Sequence, residues 1–422
     1  MRKKSALSKL GERTKAPPIS WLMGLTLMNP KWISLAAGFT DDESLPVTKT
    51  RALIEEVLSS RKPGANALQY GATNGDPELR RLTAARLREQ DGARGGANYD
   101  AARTIITNGS QQLLYMVTEA LCDPGDIVLM EDPTYFVYLG IAQSHGLRCR
   151  GIRLEEDGLD LAHLERVLDE LKRRGQLPQV KMLYLVSYYQ NPTGITTSTA
   201  KKAGALELLR RYERAAGHPI YLLEDAAYRE LRFAGDDVAS ALAVKGAAER
   251  VIYTGTYSKP FATGVRVGFG VLPEAVLAIV SRIKGNHDFG TANLLQHVLA
   301  RALTSCQYGQ HLAVIQRRYA QKARVMMAAL REHFPAPVQW QEPKGGLYIW
   351  ARLPERMKSR AKSRVFKQAM ARDVIYVPGE LCYCEDSTRA KPNHEMRLSF
   401  GNASEAQIRE GIARLGKVIS NQ

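Results

Sequence analysis

The stretch Thr254–Gly270, "TGTYSKPFATGVRVGFG", follows a strand-like run, "RVIYTG", and sets two cations, Lys259 and Arg266, among glycines and apolar residues. A charge placed in apolar surroundings is costly unless it has a partner. The segment also closes a regular series. "TIITNG" reads as a strand that runs into the amphipathic helix "SQQLLYMVTEAL". "DIVLMED" is the next strand, ahead of the helical run "YFVYLGIAQSHG". "VKMLYLVSYYQNPTG" reads as a long buried strand ending in a turn. A helix rich in Ala, Leu and Arg leads to "HPIYLLEDAAY", and another helix leads to "RVIYTGTYSK" and then "GVRVGFGVL". This alternation predicts an α/β fold, with a mostly parallel sheet flanked by helices. From about Gln310 the texture changes: a long helix, "GGLYIWARL", a helix around Arg364–Arg372, "EMRLSF" and a final helix predict a smaller α+β lobe.

Composition sets bounds on this reading. The chain has 422 residues, 45% hydrophobic and 24% charged, which suits a globular protein with two lobes. No apolar stretch approaches the roughly 20 residues of a membrane-spanning helix. The five cysteines are few and odd in number, which predicts free thiols and a cytoplasmic protein rather than a disulfide framework. Cys382 and Cys384 form a C-x-C without a second thiol pair, so no metal site is expected. The net charge is +16, and part of it lies in "MRKKSALSKLGERTK". That segment lacks the apolar core of a secretory signal, and no nucleic-acid reading motif accompanies it. It reads as a solvated arm or one that crosses a dimer.

The polar residues of interest fall at predicted strand ends, where open α/β sheets bind ligands. Gly109-Ser110-Gln111 opens a helix, and a helix N-terminus offers free N–H groups and a positive dipole end to a phosphate; a simple serine cap is the plainer alternative. Asn191-Pro192-Thr193-Gly194 forms a turn. Glu224-Asp225 ends "IYLLED" with Tyr228 three residues on, suited either to cap a helix or to hold a cation. Ser258-Lys259 and Arg266 complete the series. Taken in order, these residues fit one chemistry. A buried lysine amine can form a Schiff base with a carbonyl, and pyridoxal 5'-phosphate offers one. Its ring nitrogen needs an acid, and its phosphate needs a helix N-terminus and an arginine. Lys259 is then the expected anchor, and Arg266, expected on the next strand, holds the phosphate.

With these motifs in place, the chain resembles the fold-type I pyridoxal-phosphate aminotransferases of class I/II, nearest the 2-aminoadipate, kynurenine and aromatic aminotransferase branch. The resemblance runs from about Ser5 to the end and implies a seven-stranded type of sheet. "LAAGFTDDESLP" implies Gly38 as a backbone contact for the substrate carboxylate. "LQYGATNGDPELRRL" implies that Tyr70 reaches the phosphate of the partner subunit, and hence a homodimer with shared active sites. Ser110 and Gln111 of "NGSQQLL" match the phosphate loop, and Tyr135 of "EDPTYF" the aromatic stacked on the cofactor ring. Asn191 of "NPTG", and Asp225 and Tyr228 of "EDAAY", match the residues that hold the ring and its hydroxyl. "TYSK" implies Thr256 and Ser258 near the phosphate and Lys259 as the Schiff-base lysine. Arg397 of "MRLSFG" matches the fork for the substrate α-carboxylate, with an internal salt bridge as its alternative. Two positions depart from the family pattern while keeping its spacing: Thr263-Gly264, and Ala226-Ala227 after the acid.

The resemblance implies transfer of an amino group from an α-amino acid to a 2-oxo acid, with Lys259, Asp225 and Tyr228 catalytic. A lyase or decarboxylase on the same fold would use the same residues. A transcription regulator with such a domain would carry a winged-helix domain ahead of Gly38; with the glycine motif already at Gly38, that reading is not expected. The expected division is residues 1–44 as N-terminal arm and part of the small domain, 45–309 as the large cofactor-binding domain, and 310–422 as the small domain.

Overall fold

The structure, a computed structural model, describes residues 6–92 and 96–422; the first five residues of the basic N-terminal stretch lie outside these. Its strands in chain order are β1 (Ile33–Ser34), β2 (Thr104–Thr107), β3 (Ile127–Asp132), β4 (Arg148–Glu155), β5 (Gly158–Leu159), β6 (Val180–Val186), β7 (Tyr221–Asp225), β8 (Val251–Thr256), β9 (Gly268–Val271), β10 (Gln339–Trp340), β11 (Tyr348–Arg352), β12 (Val374–Ile375), β13 (Val377–Pro378) and β14 (Glu395–Ser399).

The large sheet has the order β2-β9-β8-β7-β6-β3-β4-β5. Its centre, β4, β3, β6, β7 and β8, is parallel, whereas β9 runs antiparallel to both β8 and β2. The sheet is thus the expected seven strands plus the two-residue edge strand β5. Strands covered by helices on both faces read as unbroken apolar runs, as β6 does with "VKMLYLV" almost wholly buried. The covering helices carry the matching stripe. In Leu161–Arg173, Leu164, Val167, Leu168 and Leu171 are buried, Asp160 caps the N-terminus, and Lys172 and Arg173 stand at the C-terminal end of the dipole.

A second, antiparallel sheet has the order β10-β11-β14-β13; the long helix Gln307–His333 packs on the final helix Glu405–Ser420, which also meets β1 and β12. The segment before Gly38 joins this part of the molecule. β1 pairs in parallel with β12, and Leu35 bridges Ile375 and Ser399 through its backbone.

Two local expectations change. The "VKMLYLVSYYQNPTG" strand stops at Val186: Ser187 N still donates to Asp225 O of β7, but beyond it Tyr189 takes φ 44° in the left-handed region and Gln190 N donates to Ile195 O. Arg266 does not lie on β9. It precedes that strand at the end of the turn Thr263–Val265, with φ 51° in the left-handed region.

Candidate active site

The parallel strands deliver their ends to one place. Ser110, Gln111, Tyr135, Asp225, Tyr228, Thr256, Ser258, Lys259 and Arg266 all line a single cavity of about 200 Å³. Gly38, Asn191 and Arg397 join it through hydrogen bonds, since Lys259 Nζ donates to Gly38 O (2.8 Å) and Asn191 Nδ2 to Tyr228 Oη (3.3 Å). Arg397 Nη1 donates to Asn191 Oδ1 (2.7 Å). Tyr70 is not among these residues. It is 83% exposed and meets Phe289 edge to face, with ring centroids 5.5 Å apart. A larger groove of about 710 Å³, between Lys15–Pro18 and Tyr383–Thr388, contains none of the predicted site residues. The convergence of chemical groups, not volume, locates the site.

One end of the cavity gathers hydrogen-bond donors around the start of a helix. The helix Gly109–Leu121 points its N-terminus at it, and the side chain of the preceding Asn108 makes no capping bond. Arg266 Nη1 donates to Ser258 Oγ (3.2 Å), and Ser258 N to Thr256 Oγ1 (3.0 Å). Glycines let these pieces close. A Cβ on Gly109, whose φ is +72°, would stand 2.6 Å from Arg266 Nη2, and one on Gly268 would run into Ser110 N. The unusual Lys259-Pro260 pair is explained by a helical turn in which Phe261 N donates to Tyr257 O. Pro260 occupies a position whose N–H the turn does not use.

At the middle of the cavity Asp225 ends β7, buried, and accepts from Tyr184 Oη (3.0 Å) and Ala227 N (3.1 Å). Both donors are neutral, and burial raises its carboxyl to about 6 against the pull of Tyr184. Lys259 shows the opposite effect. Burial, then the cations Arg266 and Arg397, lower its amine to about 8. An amine so placed is neutral far more often near neutral pH than an exposed lysine, and is a nucleophile to that extent.

Arg397 sits on β14 between Trp350 of β11 and Val377 of β13 and is 1% exposed. Its other hydrogen bond goes from Nη2 to Ala36 O (2.6 Å), and its guanidinium lies 4.2 Å from the Tyr348 ring centroid and 5.3 Å from that of Phe136. Among the described residues its partners are neutral, and its Nε has no partner at all. The internal salt bridge is therefore not formed, and a donor fork remains for an incoming carboxylate.

Three contributors escaped the sequence reading. Tyr348 Oη lies 3.2 Å from Tyr228 Oη, and a Cβ on Gly38 would stand 2.7 Å from it. Tyr184 holds Asp225 from the neighbouring strand. Glu131, buried and raised to about 8, accepts from Val186 N and Gln190 Nε2 and so braces the approach to Asn191. The only sequence signal for Tyr348 is the pair Gly345-Gly346 ahead of an aromatic strand. A Cβ at either glycine would strike Tyr189.

The sequence family described as aminotransferase class I and II matches residues 30–415. The chain belongs to that family. It is 32% identical over 390 residues to aromatic-amino-acid aminotransferase 1 of Thermococcus litoralis, covering 92% of this chain and 88% of that one. It is 31% identical over 417 residues to 2-aminoadipate transaminase of Thermus thermophilus, covering 98% and 96%. Among solved structures it is similar to the kynurenine aminotransferase of Pyrococcus horikoshii in complex with PMP, KYN and KYA, with a TM-score of 0.88, 31% identity, and 99% and 97% of the chains covered. The protein is a pyridoxal-phosphate-dependent aminotransferase of fold type I. The aminotransferase's cavity suits that cofactor on its own terms. It has an uncapped helix end beside an arginine that would suit a phosphate, a buried carboxylate with neutral partners that would suit a protonated ring nitrogen, and a depressed lysine in the same cavity.

Proposed function

We propose that the residues of this cavity divide the work of amino transfer as follows. Pyridoxal phosphate supplies the aldehyde that accepts the amino group and a ring that withdraws electrons. Lys259 would anchor the cofactor through Nζ, and as a free amine its Nζ would carry the proton of the substrate α-carbon to the carbon that receives the amino group. Asp225 keeps the ring nitrogen protonated through a charge-assisted hydrogen bond in a water-poor site. Ser110, Gln111, Thr256, Ser258 and Arg266 would hold the phosphate, Tyr135 would pack on the ring, and Asn191 and Tyr228 would hold the ring oxygen. Arg397, Asn191 and the Gly38 backbone take the substrate carboxylate. The observation that carries this reading is the meeting of Lys259, Asp225 and Arg266 in one cavity, with the unfilled Arg397 fork bonded to its wall.

The reading includes a homodimer with Tyr70 of the partner subunit completing each phosphate site. Its support is the exposed apolar group of Leu68, Tyr70 and Phe289, outside the chain's own cavity. It also keeps the division into residues 1–44, 45–309 and 310–422, with the helix Gln307–His333 beginning just ahead of the last boundary. Among the described residues no helix is long and apolar enough to cross a membrane, and a cytoplasmic protein is proposed. The relatives named for aromatic amino acids, kynurenine and 2-aminoadipate make donors with aromatic or long side chains the first to test. The experiment is a ¹⁵N transfer assay with such donors and 2-oxo acids. Label must appear in the product amino acid, with one 2-oxo acid formed per transfer. Release of free ammonia or carbon dioxide instead would indicate a lyase or decarboxylase.

A further inference from the structure

Tyr348 touches three parts of the site at once. Its ring lies under the Arg397 guanidinium, 4.2 Å from it. Its hydroxyl stands 3.2 Å from Tyr228 Oη and closes over Gly38, whose carbonyl accepts from Lys259. Both tyrosines are buried. The proton positions follow from what each group can donate. Arg397 is donor-only, so its contact fixes Asn191 with Oδ1 toward the guanidinium and Nδ2 toward Tyr228. Tyr228 Oη therefore accepts from Asn191 and has one proton of its own to give. Two phenols 3.2 Å apart leave open which of them donates. A strongly basic oxygen beside Tyr228 settles the question, because Tyr228 then gives its proton to that oxygen and Tyr348 must donate to Tyr228.

We infer that Tyr348 is a positioning residue for the transfer reaction: its hydroxyl donates to Tyr228, and the polarised Tyr228 in turn makes a stronger hydrogen bond to the cofactor's ring oxygen. The inference rests on the assignment of Tyr228 to that oxygen. Chained hydrogen bonds strengthen one another in a low-dielectric interior. The cation on the Tyr348 ring face draws electron density from the phenol and makes it the better donor. The other ionisable groups facing this pair are Tyr135, Tyr319, Arg397 and Lys259, with Asp225 and Arg266 beyond them.

The test is a pH titration of the visible absorbance of the bound cofactor in the holoenzyme. A well-held ring oxygen stabilises its anion and lowers the proton affinity of the nitrogen joined to Lys259. Y348F, which keeps the ring and its packing, should raise the midpoint by about half a pH unit or more. Y228F should raise it further, and Y348F added to Y228F should change nothing, because the relay is already cut. G38A, whose new methyl displaces the same hydroxyl, should move the midpoint in the same direction as Y348F. A Y348F midpoint equal to wild type while Y228F is shifted would overturn the inference and leave the cavity assignment standing. So would a Y348F effect confined to KM for amino acids, which would make Tyr348 a substrate contact. An unshifted Y228F midpoint would remove the assignment of Tyr228 itself, and the inference with it.

Discussion

Lys259 is useful to this chemistry as a neutral amine, and its surroundings supply that state. With the amine at about 8, capture of pyridoxal phosphate by the cofactor-free protein should speed up with pH and level off above about 8. An exposed lysine would keep gaining toward 10.4. Stopped-flow rates across that range distinguish the two. Asp225 carries the opposite sign. Its folded carboxyl stands at about 6 against an ordinary 3.8, so between these values the folded chain holds more protons than the unfolded one. The cofactor-free protein should therefore lose stability as pH rises from about 4 to about 6, by up to about 3 kcal/mol. Urea midpoints against pH measure this, and Asp225→Ala should remove its share of the loss while leaving that of Asp132 and Glu131, whose buried carboxyls are raised to about 6 and about 8. The same substitution should leave some cofactor bound through Lys259 and Arg266 but cut turnover by about a hundredfold or more, as expected for a buried pair that loses one partner. For Arg397→Lys the cofactor should stay in place. Because lysine cannot copy the planar fork, kcat/KM should fall by about 3 kcal/mol for amino acids with a free α-carboxylate, and far less for simple amines. Unchanged kcat/KM for amino acids would move the carboxylate site elsewhere.

The proposed phosphate cradle depends on how closely three backbones approach: the helix starting at Gly109, the turn through Ser258, and the strand β9 behind Arg266. Gly268→Ala would press a methyl on the helix start and push its N–H groups off the phosphate. The expected result is at least about tenfold weaker cofactor affinity, with attachment at Lys259 retained, measured by equilibrium dialysis. This scale also shows what the sequence made legible. Residues at the ends of buried strands, such as Asp225 after "IYLLE", were readable because an apolar run that stops on an acid marks both the strand and its ligand-facing end. Ser110 and Lys259 were readable because each follows a buried strand, β2 or β8, by a few residues. Arg266 was placed on the wrong element because its left-handed φ comes from a turn that the surrounding "GVRVGFG" pattern disguises as strand. Tyr348 was hidden because the apolar run marks it only as a buried strand residue; its proposed role depends on neighbours such as Gly38, far away in the chain. The β1–β12 pair is two residues long, and no periodicity can show in so short a run.

At the scale of the molecule, the large sheet presents Lys259, Asp225 and the cradle, while Arg397 reaches in from the second sheet and the Gly38 segment is tied to that sheet through Leu35. On the proposed roles, substrate would be gripped by one part of the fold and processed on another. The exposed Tyr70 and Phe289 call for a partner surface, and light scattering during size exclusion should show a dimer. An active monomer would remove Tyr70 from the site. The central claim is that Lys259 is the residue on which the aminotransferase works. It is tested most directly by reducing the holoenzyme with borohydride and mapping the cofactor-modified peptide. The account predicts a single adduct at Lys259, in the peptide that contains "TYSKPFATG". An adduct on any other lysine, or none, would contradict it.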